Sequence, residues 1–181
     1  RTMADAAQQP VMVYNNPVAY GVDLGPNEFA ELADCKWVAA IKESSGKIHR
    51  VTDLRNALGD RYQLFMGVDD LGYEGLALGC DGLLAGVGCA FPRETVALFD
   101  LMKAGQYAEA LKLYQWMTPM LHFDVSTKLV QNLKLIDALE DESPRRFLID
   151  QVGRHKGVVG NGDRPAARVA HGAGEGPQLF Q

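Results

Sequence analysis

Four stretches of the chain are almost continuously apolar, and each is followed by a longer segment whose apolar positions recur at helical spacing. "PVMVYN" precedes "LGPNEFAELAD", where Phe29, Leu32 and Ala33 are in phase and Pro26 stands near the helix start. "WVAAIKES" precedes "KIHRVTDLRNALG", with Ile48, Val51, Leu54, Ala57 and Leu58 on one face and Gly59 placed as a C-terminal cap. "YQLFMG" precedes the short helical pattern "DLGYEGLALG", and the glycine-rich "GLLAGVG" precedes "FPRETVALFDLMKAG". Strands that are apolar throughout, rather than alternating, belong to sheets covered on both faces. With connections this short, the pattern predicts βαβ units: strands near 10–14, 37–42, 62–66 and 82–87 as parallel, consecutive neighbours.

The texture then changes. "QYAEALKLYQWMTPMLHF" places Ala110, Leu113, Tyr114 and Met117 on one helical face, with Pro119 expected to kink or interrupt it. "VSTKLVQNLKLIDALED" carries Leu129, Leu133, Ile136 and Leu139 in phase. From about Gly153 the chain is rich in Gly, Arg and Pro with no sustained period, the pattern of a flexible tail. The expected organisation is therefore βα units over 1–105, a helical extension over 106–150, and a tail over 151–181.

Composition narrows the partners. The 181 residues suffice for one domain with a substantial core. A net charge of −5 with no Lys/Arg-rich run argues against a nucleic-acid partner. No apolar stretch approaches the ~20 residues that cross a bilayer, and "RTMADAAQQP" lacks the apolar core of a signal peptide. Cys35, Cys80 and Cys89 form no disulfide framework and read as small buried hydrophobes in a reducing, cytoplasmic setting. The four histidines are scattered without ligand spacing, so no metal site is expected. No GxGxxG follows a strand, which disfavours a dinucleotide site.

In parallel α/β proteins functional groups gather at the carboxyl ends of the strands. Two apolar runs end there in residues that are costly to bury: Tyr14 and Lys42. An amine in apolar surroundings is the nucleophile that condenses with a ketone to form a Schiff base. The residue alone equally suits a lysine that snorkels to the rim or pairs with Glu43. A phenol at the neighbouring strand end can relay protons, or can simply be a core aromatic. Asn15 and Asn16 suit loop chemistry.

"VYNNP", then "IKESSG" with its lysine 28 positions after the tyrosine, then "MGVDD" and "LGCDGLLAGVG", resemble the dihydrodipicolinate synthase/N-acetylneuraminate lyase family over about Val11 to Leu139. The resemblance implies an α/β fold of the (β/α)8 TIM-barrel family, of which this chain would supply about four C-terminal βα units followed by C-terminal helices. It also implies four more βα units ahead of "VMVYNNP" in a complete member, where a Gly-Thr/Ser-rich motif holds the keto-acid carboxylate. The implied chemistry is a lyase reaction through a covalent imine between Lys42 and a small 2-oxo acid such as pyruvate, with Tyr14 as proton relay and no cofactor. Gly67 and Leu84 would lie against the substrate. Asp69 and Asp70 would bind substrate hydroxyls, although Asp at a helix start also serves as a cap. The parent is expected to be a homo-oligomer.

One position departs from the synthases proper. An arginine that binds the second substrate's carboxylate is expected two positions after the motif proline, and Ala19 stands there. "YNNPVAYGVD" with "DVSTKLVQNLKL" is most similar to members placed in hydroxyproline breakdown, which deaminate a hydroxylated pyrroline carboxylate. A non-catalytic half-barrel binding module, or an inactive fragment, is the alternative.

Overall fold

The computed structural model describes residues 1–138. They fall into two compact units, one running through Leu84 and one beginning at Ala85.

The first unit is a four-stranded parallel sheet in the order β1-β2-β3-β4: Val11–Asn15, Val38–Glu43, Gln63–Met66 and Gly82–Leu83. The expected neighbour relations hold. Val38, Ala40 and Ile41 of β2 are all buried, so both faces of this central strand are covered, as its unbroken apolar run requires. Helix α1 (Thr2–Ala7) precedes β1, α2 (Pro17–Tyr20) and α3 (Pro26–Ala30) lie between β1 and β2, α4 (His49–Leu58) joins β2 to β3, and α5 (Gly72–Ala77) joins β3 to β4. The core packs Phe29, Val51 and Leu54 from the helices against Val38, Ile41 and Leu64 from the strands.

Local chemistry sets the element ends. Pro26 opens α3, and the Glu28 carboxylate turns back to accept from the Gly25 N–H at 2.8 Å. The helix stops at Ala30, short of the pattern through Asp34. Beyond Ala30 the chain tightens into three-residue turns, with the Leu32, Ala33 and Cys35 N–H groups donating to Phe29 O, Ala30 O and Leu32 O, and Arg61 donates to the carbonyls of Ala33, Cys35 and Val38 at 2.7, 2.8 and 3.0 Å. Strand β4 is shorter than the "GLLAGVG" run. The Leu84 N–H still donates to Met66 O, and the β3–β4 register ends at Met66 opposite Leu83. A 3-10 turn at Val87–Cys89 follows.

In the second unit, α6 (Pro92–Lys103) and α7 (Tyr107–Leu121) pack together, burying Leu98 and Leu101 of the first and Leu113 and Met117 of the second. Pro119 falls in the last turn of α7, and the helix runs on to Leu121 rather than breaking at the proline. Helix α8 spans Leu129–Ala138. The expectation for Leu139 and for the tail over 151–181 lies outside the described residues. Of the three cysteines, Cys35 and Cys80 are buried, but Cys89 is exposed. It sits in the 3-10 turn beyond β4, one residue past the end of the apolar run. No helix among the described residues is long and apolar enough to cross a membrane.

Candidate active site at the carboxyl ends of the strands

Tyr14 and Lys42 are direct register partners on β1 and β2, one residue from each strand's end. The Lys42 Nζ lies 4.2 Å from the centre of the Tyr14 ring. The ring is 40% exposed, and Tyr20 meets it edge-on at 5.7 Å between centroids.

The phenol is oriented by its own loop. Asn16 caps α2, with its Oδ1 accepting from the Ala19 N–H at 3.1 Å. That contact fixes which way the amide points, so Nδ2 is the atom that donates to the Tyr14 hydroxyl, at 2.8 Å. A phenol oxygen that accepts there has its own proton free to point elsewhere.

Gly67 closes the other side of the lysine. A Cβ at this position would fall 2.6 Å from Lys42 Cε and 2.7 Å from Lys42 Cγ. The glycine is bare because the lysine stem lies on it. The same Cβ would stand 2.1 Å from Ser44 Oγ. Ser44 is buried, and its hydroxyl has no hydrogen-bond partner. A buried, unpaired hydroxyl is uncommon in a folded protein and calls for an explanation. Here it sits beside the aliphatic stem of the candidate nucleophile.

The remaining candidates occupy the next two connections. Asp69 and Asp70 form the 3-10 turn that starts two residues after Gly67, with Asp69 buried. Leu84 follows β4. The structure therefore brings Tyr14, Lys42 and Gly67 into direct contact and places Asp69, Asp70 and Leu84 at neighbouring strand ends. Among the described residues, no group of three or more His, Cys, Asp or Glu side chains is placed to hold a metal ion.

The residues next to the pair do something the sequence reading did not anticipate. Successive side chains of a strand point to opposite faces. Asn15 and Glu43 therefore turn away from Tyr14 and Lys42, and both are only 2% exposed. Glu43 accepts from Asn15 Nδ2 at 2.9 Å and from the Ser45 N–H at 2.7 Å. Asn15 also faces Asp23 Oδ1 and Leu24 O, each at 3.2 Å, and its Oδ1 accepts from the Leu24 N–H at 3.0 Å. Asp23 in turn takes both terminal nitrogens of Arg50, each at 3.0 Å, and Lys47 Nζ at 2.7 Å. Arg50 also donates to Leu24 O. The Arg50 and Lys47 hydrogen bonds hold the Asp23 carboxyl well below the usual carboxylate range. Asn15 is thus a buried junction rather than a turn residue, and Asn16 alone does the loop chemistry. The signal available from sequence was parity: a polar residue immediately after each candidate faces the helical layer and needs a partner there.

Residues 1–143 match the dihydrodipicolinate synthetase family. The 4-hydroxy-tetrahydrodipicolinate synthase of Geotalea uraniireducens (strain Rf4) is 33% identical over 121 residues, covering 67% of this chain and 41% of the relative. The enzyme of the same name from Exiguobacterium sibiricum is 28% identical over 174 residues, covering 87% of this chain and 59% of the relative. Among solved structures, the dihydrodipicolinate synthase of Aquifex aeolicus superposes with a TM-score of 0.71 at 19% identity, over 85% of this chain and 56% of that one. The 4-hydroxy-tetrahydrodipicolinate synthase of Methylacidiphilum fumariolicum SolV gives 0.69 at 22% identity, over 83% and 59%. At that identity the structures speak for the fold alone, and the chain spans 41% of the length of the Geotalea relative. The four parallel strands with their helices have the fold of about four βα units of the (β/α)8 barrel type, and the chain belongs to the dihydrodipicolinate synthetase family.

Proposed function

We propose that this chain carries the Schiff-base centre of a lyase acting on a small 2-oxo acid. The observation that carries the reading is the Tyr14–Lys42 pair: an amine 4.2 Å from a phenol ring at two adjacent parallel strand ends, in a chain of this family. The Lys42 nitrogen lone pair attacks the keto carbon, and the carbonyl oxygen takes up a proton to give a carbinolamine. Loss of that oxygen as water leaves a protonated imine. The imine takes up the electron pair released when a neighbouring C–C or C–H bond breaks, giving an enamine; in a dehydration or deamination the enamine then expels the hydroxyl or amine, which leaves with its bonding pair and takes up a proton. Tyr14 moves the protons, with Asn16 holding its oxygen so that the hydroxyl proton can be delivered. Ser44 offers its unpaired hydroxyl to a polar atom of the substrate. Gly67 leaves the lysine room, and Leu84, Asp69 and Asp70 line the approach.

For the substrate branch we favour a 2-oxo acid other than that of the lysine-pathway synthases, because Ala19 offers a methyl group where a carboxylate-binding guanidinium would stand. A hydroxylated pyrroline carboxylate undergoing deamination fits this branch. A second reading, binding without turnover, is favoured by one observation: β1 and β4 are both sheet edges among the described residues.

The imine is in equilibrium with its enamine, so pyruvate in D2O should lose its methyl protons to solvent in the presence of the chain. Proton NMR should show exchange that Lys42→Ala abolishes and Tyr14→Phe slows. Binding of pyruvate without exchange selects the second reading, and exchange that survives Lys42→Ala sinks the first.

A further inference from the structure

We infer that Asn15 and Glu43 are positioning residues, a buried clasp that holds Tyr14 and Lys42 face to face. The inference rests on the Schiff-base reading for its chemical consequence, but its geometric content stands on separate observations.

Parallel strands register through backbone hydrogen bonds, which leave a side chain at a strand end free to rotate and the last residues free to fray. The Tyr14–Lys42 pair sits at that vulnerable place. One residue on, Asn15 and Glu43 are also register partners, and they are joined side chain to side chain at 2.9 Å. This bond adds a tie across the strand ends, beyond the backbone bond from Ser44 N–H to Asn15 O at 2.8 Å. The clasp is then anchored to the helical layer. Asn15 holds the 23–24 segment, and Asp23 is gripped by Lys47 and by Arg50 of α4. The formal charges of Glu43, Asp23, Lys47 and Arg50 sum to zero, so the buried carboxylate sits in a balanced network rather than alone.

The asparagine amide is the only chemistry that fits its place. It donates toward Glu43, Asp23 and Leu24 O with one end and accepts from the Leu24 N–H with the other. An aspartate of the same shape would set a carboxylate against two carboxylates and a carbonyl. At Glu43 a glutamine keeps one acceptor but turns an N–H₂ toward either Asn15 or Ser45. The double variant Asn15→Asp/Glu43→Gln reverses the donor and acceptor and restores the cross-strand bond.

The test reads the geometry and the chemistry separately. Reductive methylation with 13C-formaldehyde places an NMR probe on each lysine of the full chain. The Lys42 probe, identified by its loss in Lys42→Arg, should be displaced by the Tyr14 ring current. Lys36, whose Nζ lies 4.5 Å from the centre of the Trp37 ring, is the internal control for folding. Asn15→Asp should move the Lys42 signal toward the free-lysine position while leaving Lys36 unchanged. Glu43→Gln should move it part of the way, and the double variant, whose new carboxylate still faces Asp23 and Leu24 O, should recover part of the Asn15→Asp displacement. If Asn15→Asp fails to fold, Glu43→Ala, which leaves Asn15 no carboxylate across the strands, carries the test. In unmethylated protein, the rate of borohydride trapping of pyruvate on Lys42 should fall about tenfold in Glu43→Gln, because a displacement near 1 Å is enough for such a loss. A Lys42 signal unmoved in a folded Asn15→Asp, or in a folded Glu43→Ala, overturns the clasp, whatever the trapping shows. A signal that moves while pyruvate is trapped on another lysine upholds the clasp and removes the Schiff-base reading.

Discussion

Gly67→Ala tests the packing of the candidate nucleophile with a single methyl group. Gly67 is not in the left-handed region of backbone conformation, so alanine brings no torsional strain and the effect is steric. The added Cβ would lie 2.6 and 2.7 Å from Lys42 Cε and Cγ, and 2.1 Å from Ser44 Oγ. Carbon atoms in contact sit about 3.5–4.0 Å apart, so the lysine stem must retreat by about 1 Å. Overpacking of this kind costs about 1–3 kcal/mol where the surroundings are rigid. The lysine stem is flexible and can swing away, so the stability loss should lie near 1 kcal/mol, with most of the perturbation falling on the position of the amine. A displacement of about 1 Å lowers a reaction that depends on alignment by roughly 10- to 100-fold. Urea denaturation gives the stability change, and borohydride trapping of pyruvate followed by intact-mass measurement gives the rate of imine formation. Gly21→Ala is the control. Gly21 has φ of +70° and nothing within 4 Å of the added Cβ, so alanine there costs about 1 kcal/mol through the backbone and leaves trapping intact. A Gly67→Ala protein that traps pyruvate at the wild-type rate refutes the placement of Lys42 against this glycine.

Ser44→Ala should leave stability unchanged or raise it by up to about 1 kcal/mol, because it deletes a buried hydroxyl that has no partner, yet it should slow trapping; a loss of stability in thermal unfolding would show that the hydroxyl is structural. Tyr62→Phe removes the hydroxyl that donates to Phe29 O at 2.9 Å in the core and should cost about 1 kcal/mol, whereas Tyr14→Phe at the exposed strand end should be neutral in the same urea titration and slow only proton exchange. Asp23 is held below its usual carboxyl range by Arg50 and Lys47, so its contribution is fully present above about pH 4 and is lost as pH falls through its lowered folded value. Asp23→Asn should therefore lower stability near pH 7 and flatten the acid limb of the stability–pH curve; an unchanged limb would remove Asp23 from the latch.

The fold was legible because its signal is repeated. Four unbroken apolar runs with four helical patterns leave little choice but a parallel sheet, and β1 to β3 begin and end close to the expected residues. The shortened β4 was not legible, since its paired length depends on how far β3 runs beside it, and β3 ends at Met66 opposite Leu83. The contraction of α3 was hidden because the spacing of Phe29, Leu32 and Ala33 suits the tighter turns that follow Ala30 as well as a continuing helix. At the candidate site, Tyr14 and Lys42 stand out because they break an apolar run at matched positions. Asn15 and Glu43 stand beside them in the sequence, but their burial depends on Asp23, Lys47 and Arg50 arriving from two other segments. Ser44 reads as an ordinary loop serine until the structure shows it buried and unpaired. Cys89, expected inside, is exposed in the 3-10 turn just past the apolar run.

The central claim is that Lys42 is the residue that bonds to the substrate. Incubating the full chain with pyruvate, reducing with borohydride, digesting and sequencing the peptides by mass spectrometry tests it directly. The account predicts a single reduced adduct on Lys42, absent from Lys42→Ala, with Lys47 and Lys36 unmodified. An adduct on another lysine, or equal incorporation in the wild-type and Lys42→Ala proteins, would contradict it.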